Sequence, residues 1–99
     1  MSEREAITRS SGNVFADLGL AAAEAENLRV RADLMIAIKD LIKTNGWTQQ
    51  EAARRFGVSQ PRISEICQGK IGLFTVDKLI NLLAHVGQQV LVRVIDQAA

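Results

Sequence analysis

Ninety-nine residues, 47% of them apolar, suit one small domain that buries its own core. With one histidine, one cysteine, no tyrosine and no glycine-rich phosphate loop, the chain offers no internal disulfide, no metal-ligand cluster and no nucleophile with a base at a recognisable spacing, so neither an enzyme, a metal nor a cofactor is expected. No run approaches the roughly eighteen apolar residues of a membrane span and the start lacks the charged-then-apolar order of a signal peptide, which makes a cytoplasmic location the expectation.

Residues 1–20 read as an N-terminal arm, polar to Gly12, then turning at Asn13 into a short apolar cluster of Val14, Phe15, Leu18 and Leu20. From Ala22 to about Asn45 there is no Gly or Pro, and Leu28, Met35, Ile38, Leu41 and Ile42 recur at helical spacings, which predicts a long helix stopped by Gly46. Trp47 is placed to fill the junction that follows. Thr48 and Glu51 have the spacing of a capping box, so a second helix starts at Gln49 and ends near Phe56, where Gly57 can take the left-handed conformation. Ser59 is the N-cap of a third helix over about 60–68, Pro61 lies in its first turn, and Val58 with Ile63 has the spacing of a hydrophobic staple. Gly69 ends it.

Ala52, Ala53 and Phe56 form the inward stripe of the second helix, and Ile63, Ile66 and Cys67 that of the third, so the two pack at the steep angle a short turn imposes and Cys67 is expected as a buried, inert thiol. Outward on the third helix lie Gln60, Pro61, Arg62, Ser64, Glu65 and Gln68, the kinds of side chain that read base edges and phosphates. Glu65, the one acid there, has two readings: it accepts from a cytosine amino group, or it lowers non-specific affinity by repelling phosphate. Net charge is only +1, but residues 43–70 carry five basic and two acidic side chains against five and seven in 1–42 and two and two in 71–99. The excess, from Lys43, Arg54, Arg55, Arg62 and Lys70, is modest, and useful affinity then requires two copies on one duplex.

Beyond a short KIGLF loop, Thr75 caps a helix through Leu79, Leu82 and Leu83 to about Val86, with His85 in its last turn, where positive charge suits the dipole, and Gly87 as its end. Residues 89–95, QVLVRVI, read as a strand with Val90, Val92 and Val94 on one face and Leu91, Arg93 and Ile95 on the other. No other strand exists to pair with it, so pairing with its twin across a two-fold axis is expected, with Val90, Leu91, Val92 and Val94 as dimer contacts; packing on its own domain or on a partner chain is the alternative.

Counted from Gln49, alanine at the fifth position, glycine at the ninth and isoleucine at the fifteenth and eighteenth make the run resemble the Cro/repressor-type, or xenobiotic-response-element, helix-turn-helix family, over about residues 28–86. The resemblance implies a phosphate contact from Gln49, base reading from Gln60, Pro61, Arg62 and Ser64, and a backbone contact from Gln68; Ser59, Glu65 and Lys70 complete the expected DNA-binding set. Pro61 departs from the polar residue more usual there and suits a thymine methyl instead. SGNVFADLGL and GQQVLVRV further resemble a HigA-like subgroup that acts as antitoxins in bacterial toxin–antitoxin pairs beside RelE/HigB-like toxins. The expected fold is therefore mainly α, a five-helix repressor-type helix-turn-helix domain over 21–87, with one C-terminal β-strand in 88–99 pairing in a two-stranded ribbon across a dimer. The expected function is a sequence-specific transcriptional regulator, an autorepressing antitoxin that binds a palindromic operator as a homodimer. A module whose main role is to neutralise a partner toxin, and a stand-alone phage- or plasmid-type repressor, are the alternatives.

Overall fold

The computed structural model describes residues 21–96. Helix α1 (Ala22–Asn45) buries Ala25, Leu34, Met35, Ile38 and Ile42 and ends at Gly46 in the left-handed region (φ 67°), whose N–H donates to the carbonyls of Ile42 and Lys43. Leu28 and Leu41, expected on the inward stripe, are half-buried at its edge. Helix α2 (Gln49–Phe56) and helix α3 (Gln60–Cys67) follow, then one 3-10 turn (Ile71–Leu73) and helix α4 (Val76–His85), capped by Thr75, whose hydroxyl accepts from the Lys78 N–H. α4 packs along α1 and touches α2, while α2 packs on α3. At the centre Ile38, Phe56, Ile63, Ile66 and Leu79 are fully buried, so one apolar core ties the long helix to the α2–α3 pair.

Two features correct the sequence reading. Among the described residues there are four α-helices, not five; the loop after α3, read as a loop from sequence, holds only a three-residue 3-10 turn and supplies no fifth. Residues 88–96 form no strand, and the ribbon drawn from one falls with it. β-Branched composition records a fit to a pleated, half-buried surface, whereas a strand exists only through ladder hydrogen bonds to a neighbour. Among the described residues no second strand lies beside 88–96. Val90 alone packs against the core, and Leu91 and Val94 stand 80% and 91% exposed. The N-terminal arm, with its Val14, Phe15, Leu18 and Leu20 cluster, lies outside the described residues.

A long-range latch holds the loop after α3. Arg31 Nη1 donates to the carbonyls of Ile71 and Phe74, both at 3.2 Å, while its Nε donates to Asn27 Oδ1 at 2.8 Å. A hydrogen bond to a charged group contributes about 1.5–3 kcal/mol, and these two are long, share one nitrogen and are only partly buried, so Arg31→Ala is expected to lower the unfolding free energy by about 2 kcal/mol in all in urea titration. Arg31→Lys should recover less than half of that, because an ammonium cannot reproduce the guanidinium fork; full recovery would show that charge alone carries the latch.

On the outer face of α1, Arg29 bridges Glu26 (Nη2–Oε2 2.6 Å) and Asp33 (Nη1–Oδ2 2.9 Å). The hydrogen bond from Arg29 holds the Glu26 carboxyl below its ordinary 4.5, against a smaller opposing effect of burial. A depressed folded-state pKa stabilises at pH above the unfolded value and is lost as pH falls through the folded one. Stability is therefore expected to be flat from pH 7 to 5 in this respect and to decline below about 4.5, by a few tenths of a kcal/mol for so exposed a pair. Urea midpoints against pH check this: Glu26→Gln should make the acid limb shallower by that small amount, and an unchanged limb would show that Glu26 does not contribute to it.

Candidate nucleic-acid interface

The turn between α2 and α3 is built from local signals. Thr48 Oγ1 accepts from the Glu51 N–H at 3.1 Å, so the threonine half of the capping box forms. The Glu51 carboxylate instead turns along the helix to Arg54 Nη2 (2.6 Å) and Arg55 Nε (2.7 Å). Those two arginines, Arg54 foremost, hold Glu51 below its ordinary carboxylate value. α2 ends at Gly57 (φ 74°), with Val58 N–H bonded to the Ala53 carbonyl at 3.0 Å. The approach at Gly57 is close as well as left-handed: a Cβ there would lie 3.1 Å from His85 Cδ2. His85, read from sequence only as a dipole partner, thus packs over the turn that sets the angle between α2 and α3.

α3 begins at Gln60 with Ser59 as N-cap by position; the Ser59 carbonyl accepts from Arg62 and Ile63 N–H, its hydroxyl makes no cap bond, and Pro61 sits in the first turn. Ile63 and Ile66 anchor the inner face. Cys67 is half-buried at the rim of the core rather than fully enclosed. Gln68 closes the helix, and Gly69 (φ 75°) lets the Lys70 N–H reach back to the Glu65 carbonyl at 3.0 Å, which leaves the Lys70 side chain exposed one turn past the reading face.

Gln49, Ser59, Gln60, Pro61, Gln68 and Lys70 are all exposed, while Arg62, Ser64 and Glu65 are half-buried. The polar face of α3 is organised in pairs. Arg62 Nη1 meets Glu65 Oε1 at 2.9 Å, and its guanidinium carbon lies 5.3 Å from the centroid of the Phe74 ring. Gln68 Nε2 donates to Ser64 Oγ at 3.0 Å. Glu65 has a partner that neither of its sequence readings included. Of the local positive charge, Arg54 and Arg55 share Glu51 and Arg62 faces Glu65, so Lys43 and Lys70 are the cations of this stretch outside any ion pair among the described residues.

Trp47 fills the junction as the sequence suggests, half-buried and edge-on to Phe56 (centroids 5.9 Å apart, 84°), with the Arg55 guanidinium carbon 5.2 Å from its centroid. Phe74 and Arg31 were missed as parts of the interface support. Phe74 was legible only as an apolar loop anchor, and no local signal connects Arg31 with carbonyls 40 and 43 residues away. Among the described residues no group of three or more His, Cys, Asp or Glu is placed to hold a metal ion, and no helix is long and apolar enough to cross a membrane.

Two short helices crossing at a glycine turn, with the second presenting a polar face and backed by a long helix, define a DNA-binding helix-turn-helix unit. A family model described as a helix-turn-helix domain matches residues 14–95, more than four-fifths of the chain, and the chain belongs to that family. No curated protein matches it.

Proposed function

We propose that this protein is a sequence-specific transcriptional regulator that binds an inverted-repeat operator as a homodimer and represses its own operon as an antitoxin. The observation that carries the DNA-reading part is the N-terminal half of α3, where Gln60, Pro61, Arg62 and Ser64 stand on a helix fixed from behind by Ile63 and Ile66. In this reading Gln49, Ser59, Gln68 and Lys70 set the register on phosphates, while Gln60, Arg62 and Ser64 read base edges and Pro61 meets a thymine methyl.

The dimer rests on two supports. So few uncommitted cations give weak single-site binding, and two α3 helices about 34 Å apart would address successive turns of B-DNA. Leu91, Val92 and Val94 extend from α4 as exposed apolar side chains, with Val90 at the base, and a second copy would remove that surface from water through side-chain contact. The antitoxin role, and a RelE/HigB-like toxin as partner, are supported by the likeness of SGNVFADLGL and GQQVLVRV to that subgroup.

A gel shift on the DNA immediately upstream of the reading frame, run with and without the product of the adjoining frame, tests the proposal. A discrete complex containing two copies, altered by the neighbour's product, is the expected result. A complex that random duplex competes away at equal concentration would overturn sequence-specific regulation, and one indifferent to the neighbour would overturn the antitoxin role.

A further inference from the structure

We propose that Glu65 and Phe74 are positioning residues that confine Arg62 to a single base pair, so that specificity at that place in each half-site is set by two side chains that need not touch DNA. The inference rests on the reading of α3 as the recognition helix. An arginine on a long, flexible stem can otherwise reach a base, its neighbour or a phosphate, and the freedom to choose blurs discrimination. Here the choice is restricted before DNA arrives. Phe74 is 4% exposed and its backbone is tied on both sides, its N–H to the Ile71 carbonyl at 3.3 Å and its carbonyl to Arg31 Nη1 at 3.2 Å. That makes the ring a fixed platform, and the guanidinium carbon lies 5.3 Å from its centroid, within cation–π range.

Glu65, one turn on along α3, takes Nη1 of Arg62 at 2.9 Å. A guanidinium has five N–H donors in a rigid fork, so one bond to Glu65 leaves the others for the O6 and N7 of a guanine. The ordering entropy of the arginine is then met on folding rather than on binding. The contact also explains an acid on a face that meets phosphate: Glu65 orients a cation, and the pair as a unit is neutral.

The test is selection from a random-sequence duplex library with the wild type, Arg62→Ala, Glu65→Gln, Phe74→Leu and the double variant Glu65→Gln with Arg62→Ala, each checked for an intact thermal melt. The wild type should select a motif in which Arg62→Ala loses one position per half-site. Glu65→Gln and Phe74→Leu should relax that same position about tenfold while preferences elsewhere stay within about twofold. On the Arg62→Ala background Glu65→Gln should change the motif no further. The proposal is overturned if Glu65→Gln tightens binding to all sequences alike, if it relaxes a position other than that of Arg62, or if Arg62→Ala leaves every position as sharp as before. Should Phe74→Leu fail to fold, Glu65→Gln decides alone, because its side chain lies outside the core. A wild type that selects no motif overturns the recognition-helix reading itself, and this proposal with it.

Discussion

Replacing Gly57 with valine is expected to destabilise the domain by about 3 kcal/mol or more, a large part of the roughly 5–15 kcal/mol that holds a small domain folded. Two independent causes add. The backbone at Gly57 has φ 74°, where a β-branched residue is strained by about 1–3 kcal/mol. A new Cβ would also meet His85 Cδ2 at 3.1 Å and Nε2 at 3.3 Å, and the ring is tethered by Nδ1 to the Asn81 carbonyl at 3.0 Å. Gly46 separates the two causes: it has nearly the same φ, 67°, but nothing within 4 Å of its would-be Cβ. Urea unfolding should therefore show Gly57→Ala costing more than Gly46→Ala, with His85→Ala restoring part of the difference in a double-mutant cycle. Equal costs at the two glycines would mean that His85 yields freely and does not brace the turn.

The second large effect is on DNA. Gln60→Ala combined with Arg62→Ala removes two side chains expected to read base edges, each bidentate contact being worth about 1–3 kcal/mol, and in a dimer the loss occurs in both half-sites. Operator affinity should fall at least about a hundredfold. Affinity for random duplex should fall much less, because a single positive charge per subunit is removed and that charge already faces Glu65. Stability should change by no more than about 2 kcal/mol, since alanine is a good helix former and both the Arg62–Glu65 pair and the Arg62–Phe74 contact are partly exposed. The diagnostic quantity is the ratio of operator to random affinity at fixed salt. A ratio that survives the double substitution would place base reading elsewhere.

How far the sequence spoke depended on the reach of each signal. The limits of α2 and α3 were legible because Thr48, Gly57, Pro61 and Gly69 each act on backbone within a few residues of themselves, and the structure has those limits to within a residue or so. The core stripe was legible from helical spacing, with Leu28 and Leu41 displaced to its edge. What sequence could not show was the partner a polar side chain would choose. Glu51 had a cap to serve and took two arginines; Arg62 met a phenylalanine twelve positions on; Arg31 reached carbonyls about forty residues away. The C-terminal run failed for the same reason in backbone form, since QVLVRVI states a preference for a sheet surface without supplying the neighbour that would make it a strand. Family membership establishes a helix-turn-helix protein, while the operator and the partner depend on contacts that no local pattern encodes.

The central claim, that the outer face of α3 is the surface that meets DNA, is tested most directly by following backbone amide resonances as a duplex carrying the upstream DNA is titrated in. The largest shifts are expected at Gln60, Arg62, Ser64 and Gln49, smaller ones at Gln68 and Lys70, and little change along the α1 face around Arg29. Shifts concentrated on α1 or on residues 88–96, with α3 silent, would contradict it.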